Sequence, residues 1–402
     1  MLEPINKYMK ANKAIPGNHN QPLRVLHVLG GMNRGGIETW LMHILRHIDR
    51  DRVKMDFIVG TTEPGSYDEE ARSLGCRIIP CLHPSKPLMY AANFKRILHE
   101  YGPYDIVHSH VHFFSGYVLR VAQRSGIPIR IAHSHNNTAA AEAGAGWSRR
   151  WYLNVTQSWI NKYATAGLAC SSHAAVDLFG TNWNLDPRWR VLSYGINLAP
   201  FEQQLDKLAV RAKLGIPEDA FVIGHVGRFV EQKNHKFLLE IAAEVAKKEP
   251  KMYLLLLGEG TLQPEVKQQA VQLGIADRTI FTGSRPDVPN IMLGAMDAFL
   301  FPSHHEGLGL VLVEAQAAGL PCIFSDVVPP EADVVKPLVN RLSLSQSATD
   351  WATQVLVNRD AAIKLSQASA LKLTQTSQFN IATSVQELEN FYQSQLAKVA
   401  AV

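Results

Sequence analysis

The sequence contains no apolar run that approaches the ~20 residues of a membrane-spanning helix. Cysteines are few: Cys76, Cys81, Cys170 and Cys322 lie in or beside apolar stretches, and no two of them form a CxxC pair. Cysteines scattered in this way are typical of buried, reduced thiols. These absences predict a cytoplasmic protein that does not depend on disulfides.

Strong charge of either sign is also lacking. The formal net charge is +4 over 402 residues, which does not indicate a nucleic-acid partner and would not oppose approach to an anionic membrane surface. The first glycine-rich loop does not read GxGxxG, so the dinucleotide-binding fingerprint is absent. Residues 1–21 are mostly polar and have no apolar centre, so we expect a disordered tail there rather than a signal peptide.

What the sequence does contain is a repeated alternation of short apolar strands with helical stretches. The predicted strands are 24–29, 55–59, 77–80, 105–108, 129–133, 167–171 and 190–193, followed by 222–226, 253–257, 280–282, 298–301 and 322–325. Such alternation favours parallel sheets covered by helices on both faces. We therefore predict an α/β fold with two Rossmann-like domains, at residues 22–198 and 199–380. Residues 381–402 show the apolar spacing of a helix with one buried face.

The most informative stretch is 301–319, which reads as a strand end, a glycine turn and a helix. Free N–H groups and the dipole at such a helix start favour an anion, here near Gly309 and Leu310. Glu306 and Glu314 flank that start, and carboxylates repel phosphate, so they are better interpreted as acceptors for hydroxyl groups. The pattern indicates a phosphorylated sugar or a nucleotide sugar. The alternative is an ordinary helix with a surface acid at each end.

Two further groups follow strands of the first domain, at the sheet edge where ligands of parallel sheets bind. One is the glycine loop that contains Gly35 and Gly36, which lets the backbone approach a ligand closely. The other is a set of histidines, His108 and His110 after one strand and His133 and His135 after the next. Imidazoles can bind zinc, hydrogen-bond to a sugar or a phosphate, or move a proton. The further acids that a metal-dependent hydrolase needs were not found.

The second domain offers basic and glycine-rich residues in matching positions. Arg228 and Lys233 follow its first strand, close to Gly227, and could neutralise a diphosphate. The alternative is a solvated basic loop. Weaker candidates lie after later strands, where Gly258, Gly260 and Arg285 would pack against a base or a ribose.

Arg228 and Lys233, followed by Glu306 and Glu314 with seven residues between them, resemble the family 4 retaining glycosyltransferases of the GT-B fold. The resemblance covers nearly the whole chain, from about Leu23 to Tyr392. Segments 130–136 and 324–331 are most similar to the capsular and exopolysaccharide branch. In place of the family's usual glycine-rich turn after residue 325, this chain carries Val-Val-Pro-Pro, as that branch does.

The resemblance implies a function for each domain and each candidate residue. The first domain would bind the acceptor, with His108 and His110 on that side, and the second would bind the nucleotide sugar across a deep interdomain cleft. The C-terminal helix would cross back onto the first domain. The donor site would comprise Gly35, Gly36, Gly227, Arg228, Lys233, Gly258, Gly260, Arg285, Glu306, Gly309, Leu310 and Glu314.

Within that site the resemblance assigns individual roles. Arg228 and Lys233 would hold the diphosphate, and Glu306 would contact the sugar. Either His133 or His135 would lie near the reacting centre, and the residues do not decide which. We expect no metal and no other cofactor, because the nucleotide sugar is itself a substrate.

The predicted function is transfer of a hexosyl or N-acetylhexosaminyl group, with retention of configuration, from a nucleotide sugar to a saccharide or lipid-linked acceptor. UDP is the expected nucleotide, and polysaccharide biosynthesis the expected setting. A hinge near Ala199 would close over the donor and exclude water. The alternatives are a GT-B nucleotide-sugar epimerase, a non-catalytic nucleotide-sugar-binding component of a polysaccharide complex, and a metal hydrolase built on the histidines. Aromatic and basic residues at 147–153 suggest peripheral contact with the inner face of the membrane.

Overall fold

Residues 21–138, 144, 146–360 and 365–401 are described in a computed structural model of the chain. The tail predicted for residues 1–21 lies almost wholly outside these described residues. Two parallel sheets organise the rest of the chain, and each is covered by helices. The predicted α/β fold with two Rossmann-like domains is confirmed.

The first sheet has seven strands in the order β3-β2-β1-β4-β5-β6-β7, all parallel. Its strands are β1 (Leu23–Leu29), β2 (Val53–Val59), β3 (Ile78–Pro80), β4 (Ile106–Ser109), β5 (Ile129–Ser134), β6 (Ala166–Ala169) and β7 (Trp189–Val191). Strands β4 and β6 are buried at every position. Burial on both faces explains why these strands read as continuous apolar runs rather than as alternating patterns.

The second sheet has six parallel strands in the order β10-β9-β8-β11-β12-β13. Its strands are β8 (Phe221–Val226), β9 (Met252–Leu257), β10 (Thr279–Phe281), β11 (Ala298–Phe301), β12 (Cys322–Ser325) and β13 (Val339–Leu342). Strand β13 was not predicted, because Asn340 and Arg341 interrupt its apolar character. It lies at the edge of the sheet, where it forms backbone hydrogen bonds with only one neighbouring strand.

The described helices connect the strands and cover both sheets. They are α1 (Gly36–His47), α2 (Asp68–Ser73), α3 (Pro87–Tyr101), α4 (Ser115–Arg124), α5 (Trp147–Tyr163), α6 (Ser172–Phe179), α7 (Lys207–Lys213), α8 (His235–Lys248), α9 (Gln263–Gln272), α10 (Val288–Gly294), α11 (Leu310–Ala317), α12 (Ala348–Asp360), α13 (Gln367–Gln375) and α14 (Ile381–Ala400). Among them, none combines the length and the apolar character needed to cross a bilayer.

Helix α14 leaves the second domain and packs on the first, as the resemblance implied. The indole nitrogen of Trp40 donates to Ser384 Oγ at 3.3 Å, and Ser384 Oγ donates to the carbonyl oxygen of Ser193 at 2.9 Å. Further along α14, Tyr392 Oη lies 2.8 Å from Nδ1 of His108 in β4. The last helix of the chain therefore completes the core of the first domain.

Candidate active site

The carboxyl ends of the two sheets face each other and touch at Gly307. A Cβ atom at Gly307 would lie 1.9 Å from the carbonyl oxygen of His135, which follows β5 of the first domain. The Ser171 hydroxyl, after β6, donates to the carbonyl oxygen of Gly307. Because no larger side chain fits at residue 307 in this arrangement, the glycine permits the two domains to approach closely. The residues that follow the strands of both sheets thus surround one shared space.

Lys233 and Glu306 form an ion pair at the centre of this space. Lys233 Nζ lies 2.6 Å from Glu306 Oε1, and both side chains are largely buried. The ring of Phe301 lies under the ammonium, 4.6 Å from Nζ. A Cβ at Gly227 would be 3.2 Å from the stem of Lys233, so the glycine leaves room for that stem. An ammonium has three donors, so two are left for another ligand.

Gln232 and Asn234 hold the loops that carry this ion pair together. Gln232 accepts from the backbone N–H of His304 at 2.9 Å, and its side-chain amide donates to the carbonyl oxygen of His305 at 2.9 Å. The Asn234 amide donates to the carbonyl oxygen of Pro302 at 3.0 Å. The loop after β8 is therefore bound along its length to the loop after β11, which fixes the ion pair.

Arg228 lies at the edge of the same space and faces the first domain. Its guanidinium is exposed and, within the chain segments that the structure describes, makes no hydrogen bond or ion pair. Its positive charge acts on Glu38 of α1: burial raises the pKa of Glu38, and nearby Arg228 partly opposes that rise. A Cβ at Gly35 would lie 2.4 Å from Glu38 Oε2. The Gly35–Gly36 loop, Glu38 and Arg228 thus meet across the cleft.

Helix α11 begins beside these groups with Gly309 in the left-handed region, at φ +84. No side chain caps this helix, so the N–H groups of its first turn, beginning at Leu310, face the loop. Glu314 lies one turn further on, and burial raises its pKa to about 7. Its carboxylate has no hydrogen-bond partner among the residues that the structure covers. The site therefore holds a helix start and an unpaired acid.

The weaker candidates have structural roles that the sequence did not reveal. A Cβ at Gly258 would lie 2.1 Å from the carbonyl oxygen of Gly227, and one at Gly260 would lie 2.4 Å from that of Phe229. These glycines let the loop after β9 pack on the loop after β8. The Arg285 guanidinium forms two hydrogen bonds, at 2.8 and 2.7 Å, to Asp287 two residues along the chain. Donor contact by these residues stays a prediction.

The predicted histidines form one buried cluster with His27 of β1. His108 and His133 are fully buried, His110 is 5% exposed, and His135 lies closest to the cleft, where its carbonyl oxygen borders Gly307. Burial lowers the pKa of each of these imidazoles. They are therefore neutral at physiological pH. Of the two residues that the sequence left undecided, His133 is fully buried and His135 is partly exposed; a role for either at the reacting centre stays a prediction.

The same imidazoles lie close enough together to bind a metal ion. One ring nitrogen from each of His27, His108 and His110 lies within 4.8 Å of the others, and the same holds for His110, His133 and His135. Of the ring nitrogens of these five histidines, all except His27 Nε2 are hydrogen-bonded to another histidine of the cluster or to a tyrosine. The nitrogens that a metal ion would need are thus engaged in hydrogen bonds, and the absence of a metal stays a prediction.

Glu331 contributes a contact between the domains that sequence reasoning missed. Its Oε1 accepts from the backbone N–H of Ser172, the first residue of α6, at 2.9 Å. Burial acts to raise the pKa of Glu331, but the hydrogen bonds from Ser172 outweigh burial and hold this pKa below its ordinary value. Glu331 lies directly after Val-Val-Pro-Pro, the segment that replaces the glycine-rich turn. The carboxylate of one domain thus accepts from the first backbone N–H of a helix of the other, a helix that Ser171 caps.

Two family profiles match the chain. "Glycosyl transferases group 1" matches residues 206–356, and "Glycosyl transferase 4-like domain" matches residues 35–195. The chain is 40% identical over 337 residues to the "Putative glycosyltransferase EpsF" of Bacillus subtilis (strain 168), covering 83% of this chain and 86% of that protein. It is 30% identical over 261 residues to an Escherichia coli protein named "UDP-Gal:alpha-D-GlcNAc-diphosphoundecaprenol alpha-1,3-galactosyltransferase", covering 63% of this chain and 64% of that one.

Solved structures with the same fold are more distant in sequence. HepE of Anabaena, crystallised with UDP and glucose, superposes with a TM-score of 0.78 at 19% identity over 92% of this chain and 100% of its own. WaaG, described as a glycosyltransferase involved in lipopolysaccharide biosynthesis, gives a TM-score of 0.72 at 17% identity over 91% of this chain and 99% of its own. At these identities the likeness establishes the fold.

Proposed function

This chain belongs to the GT-B glycosyltransferases of family 4, and we propose that it moves a sugar from a UDP-sugar to a hydroxyl group of a saccharide or lipid-linked acceptor with retention of configuration. The proposed setting is the biosynthesis of an exopolysaccharide or capsule. The observation that carries the proposal is the buried Lys233–Glu306 pair beside the start of α11. The proposal assigns the ammonium of this pair to the donor phosphates and its carboxylate to the sugar hydroxyls.

The diphosphate of the donor would be held by three positive groups. Lys233 has two free donors, Arg228 is exposed without a protein partner in the described structure, and the first turn of α11 presents backbone N–H groups. Such fixed donors stabilise negative charge as it develops on a leaving group. UDP as the nucleotide is supported by the names of two relatives: HepE was crystallised with UDP-glucose, and the Escherichia coli relative is named for UDP-Gal.

Glu306 and Glu314 would bind the two ends of the donor. Glu306 is next to Lys233 in the loop and would accept from hydroxyl groups of the sugar. Glu314 is within α11, carries no protein partner among the described residues, and would accept from the ribose hydroxyls. Its carboxylate binds hydroxyls best when ionised, because the ionised form only accepts hydrogen bonds.

The proposed reaction proceeds on one face of the sugar. The bond between the anomeric carbon and the diphosphate oxygen breaks, and the acceptor oxygen bonds to that carbon from the same side. The departing diphosphate takes the proton of the acceptor hydroxyl. Lys233, Arg228 and the start of α11 stabilise the charge of the diphosphate, so none of these steps needs a metal.

A lipid-linked acceptor would place the first domain at a membrane. On α5, Trp147 is 84% exposed and Trp151 is 65% exposed, and Arg149 and Arg150 lie between them. Aromatic and basic residues together suit the headgroup region of an anionic bilayer. Trp147→Ser/Trp151→Ser should lower co-sedimentation with phosphatidylglycerol-containing vesicles, and so should Arg149→Glu/Arg150→Glu. Equal sedimentation of the wild type with pure phosphatidylcholine vesicles would contradict an anionic surface as the partner.

The overall proposal is tested by screening nucleotide sugars. Thermal shift with UDP-, GDP- and ADP-sugars identifies donors, and those that bind are assayed with and without saccharide and lipid-linked acceptors. We expect stabilisation by UDP-sugars and product only when an acceptor is present. Conversion of the donor alone into its epimer would instead identify an epimerase, and binding without any turnover would identify a non-catalytic component.

A further inference from the structure

His112 is the exposed member of three histidines that alternate along the end of β4 and the turn after it. His108 and His110 are 0% and 5% exposed, whereas the side chain of His112 is 23% exposed. His112 lies just beyond the strand, at the sheet edge where ligands of parallel sheets bind. It is therefore the histidine of this segment whose imidazole is open to a ligand.

The backbone at His112 adopts a conformation that residues with side chains rarely take. Its φ is +48, in the left-handed region, and it begins a short 3₁₀ turn at His112–Phe114. Non-glycine residues reach this region at a cost in free energy, and residues held there cluster at active sites and ligand sites. Contacts of the His112 side chain with the rest of the domain must therefore hold the turn in place.

Asp177 of α6 supplies that contact. His112 Nε2 lies 3.0 Å from Asp177 Oδ2, at the distance of a close ion pair although not aligned as an ideal hydrogen bond. The same carboxylate oxygen accepts from the backbone N–H and the hydroxyl of Thr138, at 3.0 and 3.1 Å. The Asp177 side chain is only 5% exposed. The turn after β4, the loop after β5 and helix α6 thus converge on one buried acid.

The charge of Asp177 determines which nitrogen of His112 is free. Burial acts to raise the pKa of Asp177, but the contacts with His112 and Thr138 outweigh burial and hold this pKa below its ordinary value. An ionised carboxylate only accepts hydrogen bonds, so the proton of a neutral imidazole lies on the nitrogen beside it, Nε2. Nδ1 then keeps its lone pair, and no group among the described residues donates to it. The partly exposed imidazole therefore offers one unused hydrogen-bond acceptor.

The His112–Asp177 pair lies next to the loop that carries Glu306. Burial lowers the pKa of His305 in that loop, and the negative charges of Glu306 and Asp177 partly oppose the change. The Ser171 hydroxyl, at the start of the helix that carries Asp177, donates to the carbonyl oxygen of Gly307. A saccharide bound at His112 would thus lie near the donor sugar that Glu306 is proposed to contact.

We propose that His112 is an acceptor-binding residue whose Nδ1 accepts from a hydroxyl group of the acceptor saccharide, and that Asp177 is the positioning residue that orients its imidazole. The assignment rests on the proposed function, because it needs a saccharide acceptor in the first domain. A hydroxyl suits this place better than a phosphate, since Nδ1 accepts rather than donates and the carboxylate of Asp177 repels anions. The proton of the reacting hydroxyl still goes to the departing diphosphate, so His112 holds the acceptor and takes no proton from it.

Transfer kinetics in which donor and acceptor are varied separately test both roles. Glycine adopts a φ of +48 readily, so His112→Gly removes the imidazole and keeps the turn. We expect the acceptor KM to rise roughly two- to tenfold, the effect of one lost hydrogen bond, with little change in donor KM. Asp177→Asn should raise the acceptor KM less. His112→Gly/Asp177→Asn should be no worse than His112→Gly, because Asp177 acts through His112.

His83→Gly is the matched control, because His83 also has a positive φ, +68, and is exposed on the loop after β3. Its substitution should leave the acceptor KM unchanged. An unchanged acceptor KM in His112→Gly would overturn the proposal, and so would equal rises of donor and acceptor KM, which would show that His112 supports the cleft as a whole. Additive effects of the two substitutions would overturn the positioning role of Asp177.

Saccharide binding measured without turnover separates this proposal from the proposed function. Methyl glycosides of glucose, galactose and N-acetylglucosamine are titrated, with UDP present, against the full chain labelled with ¹⁵N-histidine. The ring signals of His112 are assigned by their loss in His112→Gly. We expect these signals to shift with at least one glycoside and not with inorganic phosphate.

The outcomes of this titration are distinct. A shift with phosphate alone would overturn the assignment of a hydroxyl ligand, and no shift with any glycoside would overturn the acceptor contact. A shift with a glycoside in a wild type that transfers no sugar would remove the proposed function and leave the saccharide site intact.

Discussion

Lys233 is the residue on which the candidate site depends most. Its ammonium lies 2.6 Å from Glu306, above the ring of Phe301 and largely shielded from water. Electrostatic contacts in such a shielded place are stronger than in bulk solvent. A donor diphosphate would therefore meet a cation that is already fixed in position and loses little freedom on binding.

Replacing Lys233 should slow transfer strongly. Loss of one fixed charge contact to a leaving group typically costs about 2.7–4 kcal/mol of barrier, so Lys233→Ala should lower turnover by roughly two orders of magnitude or more. Steady-state kinetics with the donor found by the screen would measure this. Lys236→Ala, at an exposed position nearby, is the matched control. A turnover close to that of the wild type in Lys233→Ala would refute the assignment of the diphosphate site.

Glu314 should make donor binding depend on pH. Burial raises its pKa to about 7, so the carboxyl group takes up a proton as the pH falls through that value. Since the ionised form is the better acceptor for ribose hydroxyls, donor affinity should decrease from pH 8 to pH 6. Calorimetric titration of the donor across this range would measure the effect, and Glu314→Gln should flatten it. A dependence of equal size in Glu314→Gln would assign the titration to another group.

Residue types and spacing predicted part of this site and missed the rest. Arg228, Lys233, Glu306 and Gly309 follow strands of a parallel sheet, where polar residues and glycines stand out against apolar runs. His27 does not stand out, because it lies inside an apolar strand and looks like a core residue. The contact of Tyr392 with His108 could not be predicted from the sequence, because it depends on how α14 crosses to the first domain.

At the level of elements, the contact between Glu331 and α6 links the two domains. Helix α6 offers the N–H of Ser172 at its start, and Glu331 from the loop after β12 accepts it. The negative charge of Glu331 also interacts favourably with the positive end of the helix dipole. The segment that departs from the common family pattern thus supplies an interdomain contact, which a comparison of loop sequences could not show.

Glu331→Ala should weaken the closed arrangement of the domains. Loss of one hydrogen bond to a charged group costs about 1.5–3 kcal/mol, and this one is partly exposed, so we expect donor KM to rise roughly two- to tenfold. Scattering should show a larger radius of gyration for the variant without donor and a clearer contraction when donor is added. Glu265→Ala, an exposed acid on α9, is the control. Identical scattering for variant and wild type, with and without donor, would count against domain closure.

Strands were predicted well because their signal is local. The predicted strands 298–301 and 322–325 have the observed bounds, and the other predicted strands differ by one or two residues at an end. Strand β13 was missed because its apolar pattern is broken, and its place beside β12 is decided by pairing rather than by its own sequence. The order of strands in each sheet is likewise a property of the assembled fold.

At the scale of the whole molecule, the buried histidines make the free energy of unfolding depend on pH. Burial lowers the pKa of His27 to about 3 and that of His43 and His235 to about 4, and it lowers the pKa of His108, His110, His133 and His135 as well. In the unfolded chain a histidine has a pKa of about 6.5. Unfolding below that pH therefore takes up protons, which favours the unfolded state.

The contribution of these histidines to the free energy of unfolding should consequently be complete above about pH 6.5. Below that pH the free energy of unfolding should decrease by up to about 1.4 kcal/mol per pH unit for each such histidine. Urea unfolding followed by tryptophan fluorescence at pH 7.5, 6.5 and 5.5 would measure the slope. His43→Gln should reduce the slope by one proton, whereas His47→Gln, at an exposed position, should not. Stability that is constant from pH 7.5 to pH 5.5 would contradict the neutral, buried state of the cluster.

The crossing of α14 also has a consequence for the order of events during synthesis. The first domain needs Ser384 and Tyr392, which leave the ribosome only after the entire second domain has been made. Domains commonly fold one after another as the chain emerges. The domain that is synthesised first is therefore completed last. While the second domain is translated, the surface of the first domain that α14 will cover stays exposed and must be protected from non-native association.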